Sequence, residues 1–87
     1  MELNSIVRKV HHHALEKGWW NKGVNMPSLL CFVHEEVSSA LSAYKSRKKN
    51  KFKEELADIV IRVFSICARR KIDIETEILK RIGDKHA

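Results

Sequence analysis

Leu29-Leu30-Cys31-Phe32-Val33-His34-Glu35-Glu36-Val37-Ser38-Ser39-Ala40-Leu41-Ser42-Ala43-Tyr44 decides the fold. Leu29, Leu30, Phe32, Val33, Val37, Ala40, Leu41 and Tyr44 recur at helical spacing, on a face too broad for a surface helix. The helix should begin near Pro27 or Ser28, since proline is tolerated in a first turn. It fades into Lys45-Ser46-Arg47-Lys48-Lys49-Asn50, a polar connection.

Beyond that connection a third helix is expected from about Phe52 to Arg70, striped by Phe52, Leu56, Ile59, Val60, Val63, Ile66 and Cys67. Upstream, Leu3, Ile6, Val7, Val10, Ala14 and Leu15 mark a first helix that Gly18 breaks. The stretch from Asn21 to Pro27 reads as a loop. Downstream, Asp73 offers an N-cap for a short fourth helix, with Glu75 and Glu77 where the dipole favours acids and Gly83 as its stop.

A chain of 87 residues holds one domain, 1–87. A domain this short buries only roughly 60% of its unfolded surface, so a partner subunit would help it. One Pro and three Gly leave few breakers, which favours long helices. The expected architecture is all-α, a small four-helix bundle. Apolar residues around much of the second helix are hard to bury in one protomer, which predicts oligomerisation.

Seventeen Lys and Arg against eleven Asp and Glu leave a net charge of +6, which attracts polyanions. Cys31 and Cys67 fall in apolar helical patterns and read as buried free thiols of a cytosolic protein. No stretch approaches the ~18 apolar residues of a membrane span, and there is no signal-peptide core. The expected location is the cytoplasm, with no membrane partner.

Acids are few, yet some sit inside apolar helices. The second helix carries Glu35 and Glu36; the third carries Glu54, Glu55 and Asp58. Glu55 and Asp58, three apart, share a helix face. Arg62, a turn beyond, is placed to pair with Asp58. Carboxylates from two packed helices repel unless a positive charge lies between them, and Mg²⁺ takes such oxygens together with waters and phosphates. From spacing alone, solvated acidic flanks are the commoner explanation.

Phe32-Val33-His34-Glu35-Glu36-Val37-Ser38-Ser39-Ala40-Leu41, followed by Glu54-Glu55-Leu56-Ala57-Asp58-Ile59-Val60-Ile61-Arg62, resembles the MazG-like nucleoside triphosphate pyrophosphohydrolases. That all-α family shows EExxE on one helix and ExxD on the next. Lys17-Gly18-Trp19-Trp20 and Ile72-Asp73-Ile74-Glu75 are also similar to it, so the likeness covers most of the chain in order. The resemblance implies hydrolysis of a nucleoside triphosphate to monophosphate and pyrophosphate, with Mg²⁺ as cofactor and Mn²⁺ as a substitute. It implies Glu36, Glu55 and Asp58 as metal ligands, with Glu35 supporting the metal or orienting water, and a catalytic role for Glu35 and Glu36. It assigns His11 and Trp20 to the base and Lys80 to phosphate. It also implies a homodimer or homotetramer.

The departures are Ser39, where the pattern has a third Glu, and Asp84, where it has Asn. Serine has a shorter, neutral oxygen, so a catalytically weakened nucleotide-binding or regulatory protein is the alternative. A basic nucleic-acid-binding helical module is a third reading, disfavoured because the embedded acids repel a backbone. Lys45, Arg47, Lys48, Lys49, Lys51 and Lys53 read as a solvated loop or as an attractor for phosphates. Trp19 and Trp20 share two roles between them, one as packing anchor and one, Trp20, as base contact. His11, His12 and His13 cannot converge on one ion, because consecutive helical residues point apart. His34 and Cys31 are two ligands, short of a zinc site.

Overall fold

The computed structural model describes residues 3–21 and 23–83. It contains four helices, α1 (Leu3–Glu16), α2 (Met26–Lys45), α3 (Lys49–Arg69) and α4 (Ile74–Ile82), and no strand among the described residues. The all-helical expectation holds, with the four segments in the expected order. None of these helices is long and apolar enough to cross a membrane. Asp84 lies outside the described residues.

Helix α3 organises the molecule. It packs against α2 along one side and against α1 along another. Val7, Val10 and Ala14 bury one stripe of α1; Leu29, Ala40 and Ala43 bury one of α2; Ser65 and Cys67 lie buried on α3. Most of these side chains are small, so the helices approach closely but enclose little apolar volume. Helix α4 buries no residue of its own.

Local chemistry sets the helix ends. Asn25 caps α2, its Oδ1 accepting from the Ser28 backbone N–H at 3.0 Å. Asp73 caps α4, accepting from the Thr76 N–H at 3.1 Å and from the Thr76 hydroxyl at 3.0 Å. The three long helices end in one motif. The chain turns left-handed at Gly18, Arg47 and Lys71, with φ of 73°, 57° and 58°. The next N–H, of Trp19, Lys48 or Ile72, then returns to the carbonyl of Ala14, Ala43 or Cys67 at 3.0, 3.0 and 2.8 Å. This is the Schellman closure, in which glycine is favoured because it has no Cβ to clash. Only the first of the three sites has glycine.

A broad apolar surface stays open to solvent. Leu30, Val37, Leu41 and Tyr44 are exposed along one stripe of α2, and Leu56 and Val60 along α3. The accessible surface is 6900 Å², against about 5300 Å² for a compact folded monomer of this size. The radius of gyration is 14.4 Å, against about 12 Å for a compact chain of this length. One copy of the chain is therefore a thin slab, 41 × 35 × 21 Å, with much of its apolar surface uncovered.

Candidate functional site

The antiparallel α2–α3 pair carries the acidic residues. Glu36, half-buried on α2, faces α3, and its Oε1 accepts from Arg62 Nε–H at 3.2 Å. The Arg62 guanidinium lies over the Trp19 ring, 4.1 Å from its centroid, with Phe32 on another side at 5.4 Å. An aromatic face attracts a guanidinium and reduces the water around it, which strengthens its pairing with Glu36. The expected Asp58–Arg62 pair is replaced by this one between helices. Asp58 is exposed, whereas Glu36 offers Arg62 a carboxylate in a drier setting.

Among the described residues Glu55 is the one buried acid, 7% exposed. Its Oε1 lies 2.9 Å from Lys51 Nζ, one turn earlier on α3. The hydrogen bond and the charge of Glu55 push the Lys51 ammonium above its ordinary pKa, so it stays protonated. The two acids nearest the helix interface thus each hold a cation from α3.

Magnesium takes hard oxygen donors, and Glu36, Glu55 and Asp58 supply that chemistry. Glu36 Oε2 is buried and has no hydrogen-bond partner among the described residues, the kind of unsatisfied acceptor that a cation satisfies. In this respect the residues fit the ion. Among the described residues, however, no three His, Cys, Asp or Glu side chains converge on one point. Ligation by all three acids would require Lys51 to leave Glu55. Glu35 and Ser39 are exposed on α2.

The residues assigned to the substrate are dispersed. His11 is partly buried, its Nδ1 buried without a partner among the described residues. It lines a groove of 600 Å³ with Asn4, Arg8, Lys71 and Asp73 among the other walls. Trp20 is not in that groove. Its indole N–H donates to Ser65 Oγ at 3.1 Å, and the Arg69 guanidinium stands 5.3 Å from its ring centroid. Trp20 is therefore an anchor between the α1–α2 loop and α3. Lys80 is exposed on α4, its Nζ 3.5 Å from Glu77 Oε1.

Sequence reasoning passed over two features and misread a third. The Arg62–Trp19 stack depends on a loop conformation that no periodicity reveals. Cys31 is exposed, contrary to the expected buried thiol, because it lies off the stripe of α2 that meets α3; Cys67 is buried as expected. A groove of 330 Å³ beside Ser39 is lined by Ser38, Ser42, Ser46, Lys48 and Lys51 as well. The serines at 38, 42 and 46 are four apart, so their common face was legible; the lysines reach it only through the α2–α3 turn.

No protein-family model matches the chain, and neither a curated protein nor a solved structure does.

Proposed function

We propose that this chain is a Mg²⁺-dependent nucleoside triphosphate pyrophosphohydrolase of the MazG-like kind, yielding a nucleoside monophosphate and pyrophosphate. The observation that carries the reading is Glu36 Oε2, a buried carboxylate oxygen at the α2–α3 interface without a partner among the described residues. It is supported by the acids of the resembling sequence pattern on the facing helix, Glu55 and Asp58 of α3, the first of them buried.

Glu36, Glu55 and Asp58 would hold the ion. A bound divalent cation supplies neutralisation of phosphate charge and a more acidic water. The chain's own residues do the rest. Arg62 fixes the Glu36 carboxylate through Oε1 and leaves Oε2 free. Trp19 holds Arg62 in place from the other side. Glu35, exposed on α2, is assigned the orienting of water in this reading. His11, whose Nδ1 is buried without a partner among the described residues, remains the candidate for base recognition, whereas the Trp20 N–H is already committed to Ser65.

Two or four copies of the chain form the working assembly in this reading. The exposed stripe of Leu30, Val37, Leu41 and Tyr44 supports it. The surplus accessible surface of about 1600 Å² is more than the roughly 800 Å² per partner of a standard interface.

A second reading has its own observation. Lys51 and Arg62 already neutralise Glu55 and Glu36, and Ser39 adds no charge. Such a site suits a protein that binds nucleotides without cleaving them. Phosphorus NMR of a triphosphate incubated with the protein and Mg²⁺ separates the two. New monophosphate and pyrophosphate signals support the hydrolase. An unchanged triphosphate with shifted, broadened resonances supports the binder.

A further inference from the structure

The groove beside Ser39 is chemically one-sided. Its walls are Ser38, Ser39, Ser42, Ser46, Ala43, Lys48 and Lys51, and no carboxylate is among them. Four hydroxyls and two ammonium groups are hydrogen-bond donors, and phosphate oxygens are acceptors that such donors match. At 330 Å³ the groove is at the lower end of the roughly 300–1,000 Å³ of small-molecule sites. That suits a phosphate chain rather than a whole nucleotide.

Its position matters as much as its composition. Lys51 lines the groove and also holds Glu55, the buried acid, at 2.9 Å. A phosphate seated here would therefore be separated from the Glu55 carboxylate by Lys51, with no carboxylate in the groove wall itself. Ser39 stands where a glutamate would place negative charge in the groove wall; serine turns that position into a donor.

We propose that this groove is a pyrophosphoryl subsite, in which Ser38, Ser39, Ser42, Ser46, Lys48 and Lys51 hold the β- and γ-phosphates of the nucleotide directly, without a metal ion. The inference rests on the nucleotide reading above and deepens it. Ser39 is then an exchange of one phosphate-holding device for another. A carboxylate that acts through a cation is replaced by a hydroxyl that acts on the phosphate itself.

The test uses inorganic pyrophosphate as probe, the full chain, and EDTA to remove divalent ions, with binding followed by calorimetry. The wild type should bind. Ser39→Glu and Lys48→Glu, both at exposed positions, should each weaken binding at least tenfold with unchanged helical circular dichroism. Raising the salt should weaken wild-type binding, as for any phosphate held by lysines. Absence of binding in EDTA, binding that appears only with Mg²⁺, or equal binding by wild type and both variants would each overturn the subsite. Hydrolysis assayed in parallel keeps the two claims apart. Turnover without metal-free pyrophosphate binding removes the subsite and leaves the hydrolase. Metal-free binding without turnover keeps the subsite within a nucleotide-binding protein.

Discussion

Arg62 of α3 reaches across to Glu36 of α2, Nε to Oε1 at 3.2 Å, rather than to Asp58 on its own helix. This contact ties together three separate segments, because the same guanidinium lies on Trp19 from the α1–α2 loop. Both partners are about three-quarters buried or more, at 24% and 21% side-chain exposure, so solvent screens the pair only partly. Replacing Arg62 by Met should cost about 1.5–3 kcal/mol, the range for a hydrogen bond to a charged group. Urea unfolding of Arg62→Met, Glu36→Gln and the double variant measures it. The double variant should be less unstable than the two single losses added together. Strict additivity would show that the two side chains do not interact.

The left-handed residues at the helix ends give a prediction of opposite signs. Lys71 has φ of 58°, a conformation that costs an L-residue about 1–2 kcal/mol. Lys71→Gly relieves that cost but loosens the unfolded chain by about 0.4–1 kcal/mol, so a net gain of up to about 1.6 kcal/mol is expected. Gly18→Ala should destabilise, since φ there is 73° and a Cβ would lie 2.6 Å from the Asn21 side-chain amide. Thermal unfolding should rank Lys71→Gly above wild type and Gly18→Ala below it.

Much of the architecture was legible because periodicity and caps are local. Val7, Val10 and Ala14 share a face in any helix, and Asp73 caps whatever follows it. The motif at Arg47 and Lys71 was less legible, because neither residue carries the glycine signal that marks Gly18. The acidic residues could be put on facing helices, but their partners could not be chosen. Arg62 at i+4 from Asp58 satisfies the local rule, and only the packing of α2 on α3 presents Glu36 as the better partner. Cys31 and Cys67 were indistinguishable for the same reason. Both lie in apolar patterns, and only the neighbours decide which face is covered.

The cysteines should react very differently. Cys31 is exposed and should be modified by a disulfide reagent in the native protein. Cys67 is buried, and burial pushes its thiol pKa up. It should react only on unfolding, giving one fast thiol per chain natively and two in denaturant. Cys31→Ala should abolish the fast phase. The raised value also fixes a pH dependence. The stability linked to a neutral Cys67 is complete below the ordinary thiol pKa of about 8.5 and is lost as the pH climbs through the raised folded value.

Light scattering on the purified chain should report two or four copies. Val37 and Leu41 are 49% and 53% exposed on the apolar stripe of α2, so lysine at either position costs the isolated protomer little. A Val37→Lys, Leu41→Lys double variant should run as a monomer with its helical content retained. A wild type that is monomeric throughout would remove the oligomer from the account.

The most direct test of the central claim is pyrophosphate release with Mg²⁺ across a panel of nucleoside triphosphates, for the wild type beside Glu36→Gln and Asp58→Asn. The account predicts turnover of at least one triphosphate, and losses of roughly tenfold to a hundredfold or more in each variant, at least the effect of disturbing a metal site's surroundings. No turnover of any triphosphate, or turnover undiminished in both variants, would contradict it.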